Sequence, residues 1–496
     1  MTQQDDQQMR WASIDTLAVL ALTLVAGLLR FVRLTTVDFL HGDERFYVND
    51  ACWYLFSSAE SCVVDTESNL EHPPLGKWII AAGMKVFGDN PWGHRVLPAL
   101  LGTLTIPLAY LLARKLLRSR LGAVVVAGLL AVDFMHFVLS RAAMLDIPLT
   151  FFAVISLLCM AYARERPEGT DRWLRCAAGA AAGAAIASKW TGVTILGTIA
   201  FLALAWDILA RRGPEERHPV VRAIRERGMS WVLAFVLIPA VVYSLTFVGR
   251  VHGDVLALPW NEGSWWHALA ERQLTTFRFH AHHIWSHRLA SEPWSWPLTK
   301  RGFPMAGRVE PDGSGQLVIA TGNPVVWTLG VLAVFYVAVR WIRQRTRRSV
   351  EGFITAGFVL TYLPWFLYFY APWIFFTWGR VATFVFYFLP VLPFVYLGLG
   401  YIASRSERSR GGRVGVAIGL AAAAAAFAFY YPLLTYVPLD RAAVQARLFA
   451  FDDCAAPKGD PFVFLTPTTD ANGDTVYERK SAPTSDFLPP DGWCWI

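Results

Sequence analysis

Charged residues are scarce in this chain. Only 17% of its 496 residues are Asp, Glu, Lys or Arg, 55% are hydrophobic, and the mean hydropathy is +0.37. A soluble globular domain carries about 25% charged residues, so this composition excludes a soluble fold for most of the chain. The sequence also has no GxxxxGK[ST] loop, no GxGxxG motif and no CxxC pair. We therefore expect no bound nucleotide and no zinc site of the CxxC type.

Long hydrophobic runs are present instead, and they recur along the whole chain. Their lengths approach the roughly 20 residues that a helix needs to cross a bilayer. We predict an all-α integral membrane protein with about 11 transmembrane helices. The first run follows a polar N-terminus and has no small-residue cleavage site after it, which predicts a retained helix rather than a removed signal peptide. Clear examples are residues 16–31, 231–248, 325–339 and 414–431.

The net charge of +7 comes from arginines that cluster between the apolar runs. This is the positive-inside pattern rather than a basic face for nucleic acid. The clusters are residues 114–120, 164–175, 211–227, 340–348 and 405–413. If all of them are cytoplasmic, the protein is a multi-pass plasma-membrane protein with a cytoplasmic N-terminus.

Two long segments then face the outside, residues 34–94 and 249–322. The first contains nine acidic side chains and three basic ones. Short helical patterns at residues 46–56, 78–87 and 265–285 suit helices at the membrane surface. We expect residues 1–432 to form one membrane domain that carries any active site on its outer side, followed by an extracytoplasmic tail, residues 433–496.

The six cysteines divide into two groups under this topology. Cys159 and Cys176 fall in or near apolar spans, where cysteine behaves as a small hydrophobic residue. The other four fall on the oxidising side, where disulfides are allowed; their pairing stays open. These four are Cys52, Cys62, Cys454 and Cys494.

Two adjacent carboxylates, Asp43 and Glu44, follow the first span in the segment His41-Gly42-Asp43-Glu44-Arg45. Low dielectric raises the basicity of a carboxylate, so one of the pair can take a proton from a hydroxyl while the other tunes it. The structural alternative is that Asp43 caps a surface helix and Glu44 occupies its first turn. Spacing alone does not separate these interpretations.

A second cluster, Glu71-His72-Pro73-Pro74-Leu75-Gly76-Lys77, lies in the same outer segment. Paired prolines stiffen the entry to a helix, and His72 and Lys77 would lie at the level of lipid phosphates. The alternative is that Lys77 only extends to the interface and His72 only caps a helix.

Further ionisable residues fall at the outer ends of predicted spans, where charges are costly unless paired or hydrated. Arg141 and Asp146 flank one outer turn and could pair with each other. The cations lie on the same side as the acidic pair and suit a phosphate anion. They are Arg95, Arg141, Lys189 and Arg380.

Four histidines invite a zinc hypothesis because imidazoles at short helical spacing can bind this metal. No cysteine accompanies them and their segment is aromatic and basic, so we favour a surface role and expect no metal site. They are His280, His282, His283 and His287.

In this order, the clusters resemble the motifs of the protein O-mannosyltransferase family, and specifically its bacterial, actinobacterial-type members. The resemblance extends over about residues 34–400. It rests on residues 42–48, 72–77, 93–95, 140–141, 145–146, 188–192, 279–280, 293–296, 322–324 and 384–393. It implies the GT-C glycosyltransferase fold and mannose transfer from polyprenyl- or dolichyl-phosphate-mannose to Ser or Thr of exported proteins, by a single inverting displacement.

The resemblance also implies roles for individual residues. Asp43 would be the catalytic base and Glu44 its neighbour in positioning, while Arg95 would contact the lipid phosphate or the carboxylates. His72, Lys77 and Asp146 would be site residues without an assigned role. No cofactor is implied, because the donor is a lipid-linked sugar. The implied partners are this donor, exported polypeptides, membrane lipid and the secretion machinery.

This chain departs from the family pattern in two places. The family usually has an aromatic or hydrophobic residue before the acidic pair, where this chain has His41-Gly42, and its eukaryotic members carry a large soluble insertion for which residues 249–322 are too few. Two other functions stay open. One is a related lipid-linked-sugar transferase that acts on a lipid or cell-wall glycan; the other is a secondary transporter, which would need charges near mid-membrane and inverted repeats.

Overall fold

The structure is a computed structural model that describes residues 11–55, 69, 71–212, 217–248, 265–282, 290–309, 314–344, 349–375, 382–448, 462–469 and 475–482. In chain order its elements are α1 (Ser13–Phe31), α2 (Glu44–Leu55), α3 (Leu75–Phe87), α4 (Pro91–Leu117), α5 (Arg120–Ala131), α6 (Phe134–Ser140), α7 (Asp146–Ala163), α8 (Arg172–Ser188), α9 (Val193–Arg211), α10 (Pro219–Val232), α11 (Ile238–Leu245), α12 (Trp265–His282), β1 (Phe303–Val309), β2 (Gly315–Ala320), α13 (Pro324–Gln344), α14 (Val350–Tyr370), α15 (Leu392–Ser406), α16 (Arg410–Leu434), α17 (Arg441–Leu448), β3 (Phe462–Thr469) and β4 (Thr475–Ala482).

Nine helical spans in these ranges are long and apolar enough to cross a membrane, or ten if the bent pair α5 and α6 is one span. This confirms a multi-pass helical membrane protein, but the described residues do not establish the expected number of about 11. Helix α8 is the reason for the difference. It has 17 residues and is about 25 Å long at 1.5 Å per residue, which is short for a span. Its Ala- and Gly-rich surface packs closely against α7 and α11.

The long helices define two membrane faces. From Arg95 to Arg118, α4 rises by about 35 Å, and from Asp146 to Arg164 α7 rises by about 27 Å. A bilayer core is about 30 Å thick. Arg95 and Asp146 therefore lie at one face, and Arg118 and Arg164 lie at the other.

The segments that are predicted to face the outside form short helices, as the sequence indicates. Helices α2 and α3 pack on each other and α3 packs on α4, so both belong to the protein core rather than lying loosely on the membrane. Helix α12 matches the surface helix expected at residues 265–285.

Two small β-hairpins add to the expected all-α fold. Strands β1 and β2 pair antiparallel from Phe303 with Ala320 to Val309 with Gly315, and β3 pairs antiparallel with β4. Strand β2 is buried on nearly every residue, so it lacks the alternation of polar and apolar residues that identifies a strand in sequence. A bridge between Gly315 and Leu439 joins the hairpin to the tail.

The bend between α5 and α6 is 55° and is fixed by a buried polar group. Asp133 caps α6 through the His136 N–H at 2.7 Å. Its Oδ2 accepts hydrogen bonds from Trp327 Nε1 at 2.7 Å and from the Tyr396 hydroxyl at 2.5 Å. These bonds tie the break to α13 and α15, because a buried carboxylate must be satisfied within the protein.

The cysteines follow the expected division where they are described. Cys52 is disulfide-bonded, and Cys159 and Cys176 are free thiols. The other three expected outer cysteines, Cys62, Cys454 and Cys494, lie outside the described residues.

Candidate active site

The acidic pair lies at the turn between α1 and α2, and Gly42 makes this turn. Gly42 has a φ of +58°, and a Cβ at this position would lie 3.0 Å from Met305 Cε of β1. A larger residue would meet both a left-handed backbone and a close neighbour. The His41-Gly42 departure from the family pattern therefore serves a specific geometry, in which β1 packs on the turn that presents Asp43.

Glu44 is fully buried at the start of α2. Arg95 Nε donates to its Oε1 at 2.7 Å and Arg95 Nη2 to its Oε2 at 2.8 Å. The backbone N–H groups of His41 and Ala143 also donate to Glu44, at 3.2 and 2.9 Å. Burial alone would raise the pKa of Glu44, but Arg95, His41 and the Ala143 N–H hold it at about 2. Glu44 is therefore ionised at neutral pH and holds three segments at this membrane face together.

The same network occupies most of the hydrogen-bond donors of Arg95. It is 1% exposed, and besides Glu44 it donates to the carbonyl of Val37 and to that of Phe39 at 2.8 Å. Four of its five N–H donors are thus taken by the protein. This does not fit the expected role of Arg95 in phosphate binding; it fits the other expectation, contact with the carboxylates.

Asp43 differs from Glu44 in its exposure, in its hydrogen bonding and in the direction of its pKa shift. It is half-buried, and no side chain or backbone group in the described part of the chain donates a hydrogen bond to its carboxylate. Burial raises the pKa of Asp43 above its ordinary value; Lys189 opposes this, Asp146 adds to it, and Arg45 opposes it. An accessible carboxylate with a raised pKa is the better general base of the two.

Asp146 and Lys189 form a buried ion pair beside Asp43. Lys189 Nζ donates to both carboxylate oxygens of Asp146, at 3.0 and 2.9 Å. The ammonium also lies 5.0 Å from the ring centre of Phe386 and 5.5 Å from that of Tyr387. Asp146 begins α7, and Lys189 follows α8 in an extended conformation. Two hydrogen bonds leave the third Nζ donor of Lys189 for a ligand.

Lys77 is paired with an acidic residue that sequence reasoning missed. Its Nζ lies 2.6 Å from Asp50 Oδ2, and both side chains are buried. Lys77 also donates to the carbonyls of Asn69 and His72. With three partners for three N–H donors, Lys77 is not placed to bind a phosphate, and it does not extend to the interface either.

His72 lies near both the Asp146–Lys189 pair and the Asp50–Lys77 pair. Its ring contacts those of Tyr47 and His280 at centroid distances of 5.8 and 5.9 Å. Burial lowers the pKa of His72 well below its ordinary value, and Lys189, His280 and Lys77 lower it further. His72 is therefore neutral at physiological pH and would meet a ligand as a hydrogen-bonding group rather than as a cation. Its Nδ1 is buried without a partner among the described residues.

Arg141 stabilises the end of α1, which is a role that the sequence did not suggest. Its Nη1 donates to the carbonyls of Leu29, Arg30 and Val32, and its Nη2 to that of Arg33, at 2.7 to 3.1 Å. A guanidinium at the C-terminus of α1 satisfies open carbonyls and complements the helix dipole. Arg141 thus pairs with the end of α1 and not with Asp146; its role toward a phosphate stays a prediction.

The remaining candidates are only partly described. His280 Nε2 donates to the Glu71 carbonyl at 3.2 Å. Arg380, His283 and His287 lie outside the described residues, as does the His282 side chain. Within the described residues, no three His, Cys, Asp or Glu side chains form a group that could hold a metal ion.

A helical stripe could have revealed the missed residues. Tyr47, Asp50 and Tyr54 are spaced three and four residues apart, which puts them on one face of α2, and all three are buried. The pKa of Tyr47 is raised well above its ordinary value by burial and then by Asp43 and Asp146. Tyr47 therefore lies close to both Asp43 and Asp146.

Comparison with known proteins gives two matches to family models. Residues 62–256 match dolichyl-phosphate-mannose-protein mannosyltransferase, and residues 265–450 match the C-terminal four-helix membrane region of protein O-mannosyltransferase. The two matches are consecutive and do not overlap, so they cover both halves of the helical bundle.

Curated relatives and a solved structure agree with these family matches. The chain is 29% identical to the polyprenol-phosphate-mannose–protein mannosyltransferase of Mycobacterium tuberculosis, with 85% of this chain and 88% of the relative covered. It is 26% identical to the protein of the same name in Corynebacterium glutamicum, with 72% and 78% covered. Its fold is similar to that of the Saccharomyces cerevisiae protein O-mannosyltransferase Pmt1-Pmt2 complex bound to the sugar donor, with a TM-score of 0.73 at 14% identity and coverage of 91% and 94%. The expected GT-C fold is confirmed.

Proposed function

We propose a reaction for this chain on the premise that it belongs to the dolichyl-phosphate-mannose-protein mannosyltransferase family, whose two models it matches in succession. It is a multi-pass membrane glycosyltransferase of the GT-C fold that acts in protein O-mannosylation. The donor is polyprenyl-phosphate-mannose, and the acceptor is a Ser or Thr hydroxyl of an exported polypeptide.

We assign the general base to Asp43. The supporting observation is the contrast within the acidic pair: Glu44 is held by Arg95 and two backbone N–H groups, whereas the carboxylate of Asp43 is half-buried and has no such partner in the described residues. The hydroxyl oxygen forms a bond to C1 of mannose while its proton passes to Asp43. The C1–O bond to the phosphate breaks, and its electron pair leaves with the prenyl phosphate in a single inverting displacement.

The leaving phosphate needs cations near Asp43. Lys189 supplies one, because its third Nζ donor is not used by Asp146. Arg45 supplies another; it is exposed, with its guanidinium 4.6 Å from the ring centre of Phe46. Both influence the pKa of Asp43, so both lie close enough to stabilise charge that develops at the reacting centre. Arg380 stays a proposed donor contact on the resemblance alone.

The arrangement of the two membrane faces supports an extracytoplasmic reaction at the plasma membrane. The catalytic turn lies at the face of Arg95 and Asp146, and the arginine clusters at residues 114–120 and 164–175 lie at the other. Arginine-rich connections favour the cytoplasm, which puts the N-terminus inside and Asp43 outside. Acceptors would arrive there unfolded, which is why we propose an association with the secretion machinery.

The test is an assay of Asp43→Asn in proteoliposomes with radiolabelled polyprenyl-phosphate-mannose and a Ser/Thr-containing peptide. Asn keeps the shape but cannot take the proton, so we expect transfer to fall by about 10²-fold or more. Asp38→Asn is the matched control, because Asp38 is exposed in the same turn region and should transfer at the wild-type rate. Near wild-type transfer by Asp43→Asn would rule out the base assignment. Label recovered in lipid or glycan rather than in peptide would favour the other acceptor class.

A further inference from the structure

A cavity of about 660 Å³ opens at the membrane face opposite Asp43. It lies between the ends of α4 and α7 on one side, represented by Arg118 and Arg164, and the start of α14 and the end of α15 on the other, represented by Ser349 and Arg405. The rise of α4 and α7 puts this cavity about one bilayer thickness from the catalytic turn. It is therefore separate from the reaction site.

The lining is cationic. It contains four guanidinium groups, those of Arg118, Arg164, Arg405 and Arg408, and two carboxylates. The side chains of Arg118 and Arg405 are 50% and 48% exposed. Arg408 is exposed, and within the described ranges it makes no hydrogen bond or ion pair. Guanidinium groups that keep free donors at the headgroup level are suited to a phosphate.

The two carboxylates neutralise only part of this charge, because they stand against four guanidinium groups and Glu165 is also shared with Lys115. Glu165 is shared by Lys115, Arg118 and Arg164, at 2.5, 3.1 and 3.1 Å. Glu351 accepts a hydrogen bond from the Tyr401 hydroxyl at 2.5 Å and lies 3.8 Å from Arg405. The cavity therefore keeps a net positive charge.

The remaining lining suits an amphipathic anion. Ser349 caps α14 by accepting the Gly352 N–H at 3.0 Å, and the positive end of the α14 dipole faces the cavity beside the arginines. Leu116, Leu117 and Val350 line the same space. A cationic rim with an apolar wall fits a phosphate that is attached to a lipid better than a bare hydrophobic ligand.

We propose that this cavity binds a phosphate group at the membrane face opposite the catalytic site, carried by an anionic phospholipid or present as free phosphate. The bound anion joins α4 and α7 of the N-terminal half to α14 and α15 of the C-terminal half. The outer end of α7 carries Asp146, so the ligand stabilises the packing of the two halves that meet around the site. This binding does not depend on the proposed reaction.

The experiment uses the full chain in nanodiscs of phosphatidylcholine with or without phosphatidylglycerol. Native mass spectrometry measures retained phosphatidylglycerol, and thermal unfolding measures the stabilisation by this lipid and, separately, by inorganic phosphate. The test variant is Arg118→Gln with Arg408→Gln, because each glutamate in the cavity keeps another partner. The matched control is Arg410→Gln with Arg413→Gln, which removes the same charge from exposed positions at the start of α16. Ser404→Phe fills the cavity and leaves every arginine in place.

We expect one phosphatidylglycerol retained per wild-type chain, a loss of retention of about tenfold in the test variant and in Ser404→Phe, and no loss in the control. Stabilisation by inorganic phosphate without lipid retention would support the site with free phosphate as its ligand. If neither ligand binds, or if the control loses binding as much as the test variant, the proposal is wrong. Mannose transfer by each variant shows that the chain is folded.

Discussion

Replacement of Arg95 distinguishes a structural cation from a phosphate ligand. Arg95→Ala leaves the buried carboxylate of Glu44 without its ion-pair partner and frees the carbonyls of Val37 and Phe39. Removing one partner of a buried ion pair costs about 3–5 kcal/mol. We therefore expect a large loss of stability and of mannose transfer.

The lowered pKa of Glu44 is consistent with this magnitude. It is held at about 2 against an ordinary value of 4.5, and one pKa unit corresponds to about 1.4 kcal/mol, so the environment stabilises the anion by about 3 kcal/mol. Because the folded-state pKa is lowered, this stabilisation is fully present above the unfolded pKa. It is lost as the pH falls from about 4.5 towards 2. At neutral pH the full effect should be seen.

The assay is a double-mutant cycle of Glu44→Gln and Arg95→Met, with thermal unfolding and transfer measured in the same detergent. Each single substitution should lower the stability strongly. The double variant should lose less stability than the sum of the two single losses, because it leaves no buried charge without a partner. Arg95→Lys should not rescue, because an ammonium cannot reach both carboxylate oxygens and both carbonyls. If Arg95→Lys restored transfer and stability, or if Arg95→Ala stayed stable with only a raised KM for the donor, the structural role would be refuted.

Three further predictions concern other groups of the site. Lys189→Met removes the charge that most strongly lowers the pKa of Asp43, so the acid limb of the kcat/KM profile should shift to higher pH, where Asp43 is still deprotonated. Lys77→Met should destabilise the chain by about 3–5 kcal/mol, and adding Asp50→Asn should recover part of this loss. Gly42→Ala should cost about 1–2 kcal/mol from the left-handed backbone, with a larger relative loss of transfer because the turn presents Asp43.

For each of these three substitutions, a control or a contrary result would test the expected effect. Lys85→Met removes an exposed lysine of the same outer segment and should leave the pH profile unchanged; an unchanged profile in Lys189→Met would count against the coupling to Asp43. For Lys77, wild-type stability with a raised donor KM would point back to phosphate binding. For Gly42, Met305→Ala in the Gly42→Ala background removes the close neighbour but not the backbone strain. Full rescue would therefore assign the defect to packing alone.

The membrane class could be predicted from the sequence because it depends on a local property. A run of apolar residues long enough to cross the bilayer is visible without any knowledge of its neighbours, and arginine clusters predict the sidedness in the same way. The outer helices α2 and α12 were also predictable from short patterns. Strand β2 was not, because burial on both faces removes the alternation that marks a strand.

The positions of the charged residues could also be predicted from the sequence, but the ion pairs that they form could not. The sequence alone indicated that Asp43, Glu44, Arg95, Lys77 and Lys189 lie on one side of the membrane and differ from the lipid-facing residues around them. It did not determine which carboxylate each cation would meet, because these partners are 27 to 51 residues apart and their distance depends on how the helices pack.

The tertiary structure decided these pairings, and with them the roles. Arg95 approaches Glu44 because α2 and α4 meet at this membrane face, and Lys189 approaches Asp146 because α7 and α8 do. Asp43 keeps an accessible carboxylate because no group in the described part of the chain donates a hydrogen bond to it. In a low-dielectric interior a charge must find its counter-charge within hydrogen-bonding distance. This requirement determines which cation pairs with which carboxylate, and the order of these residues along the chain does not.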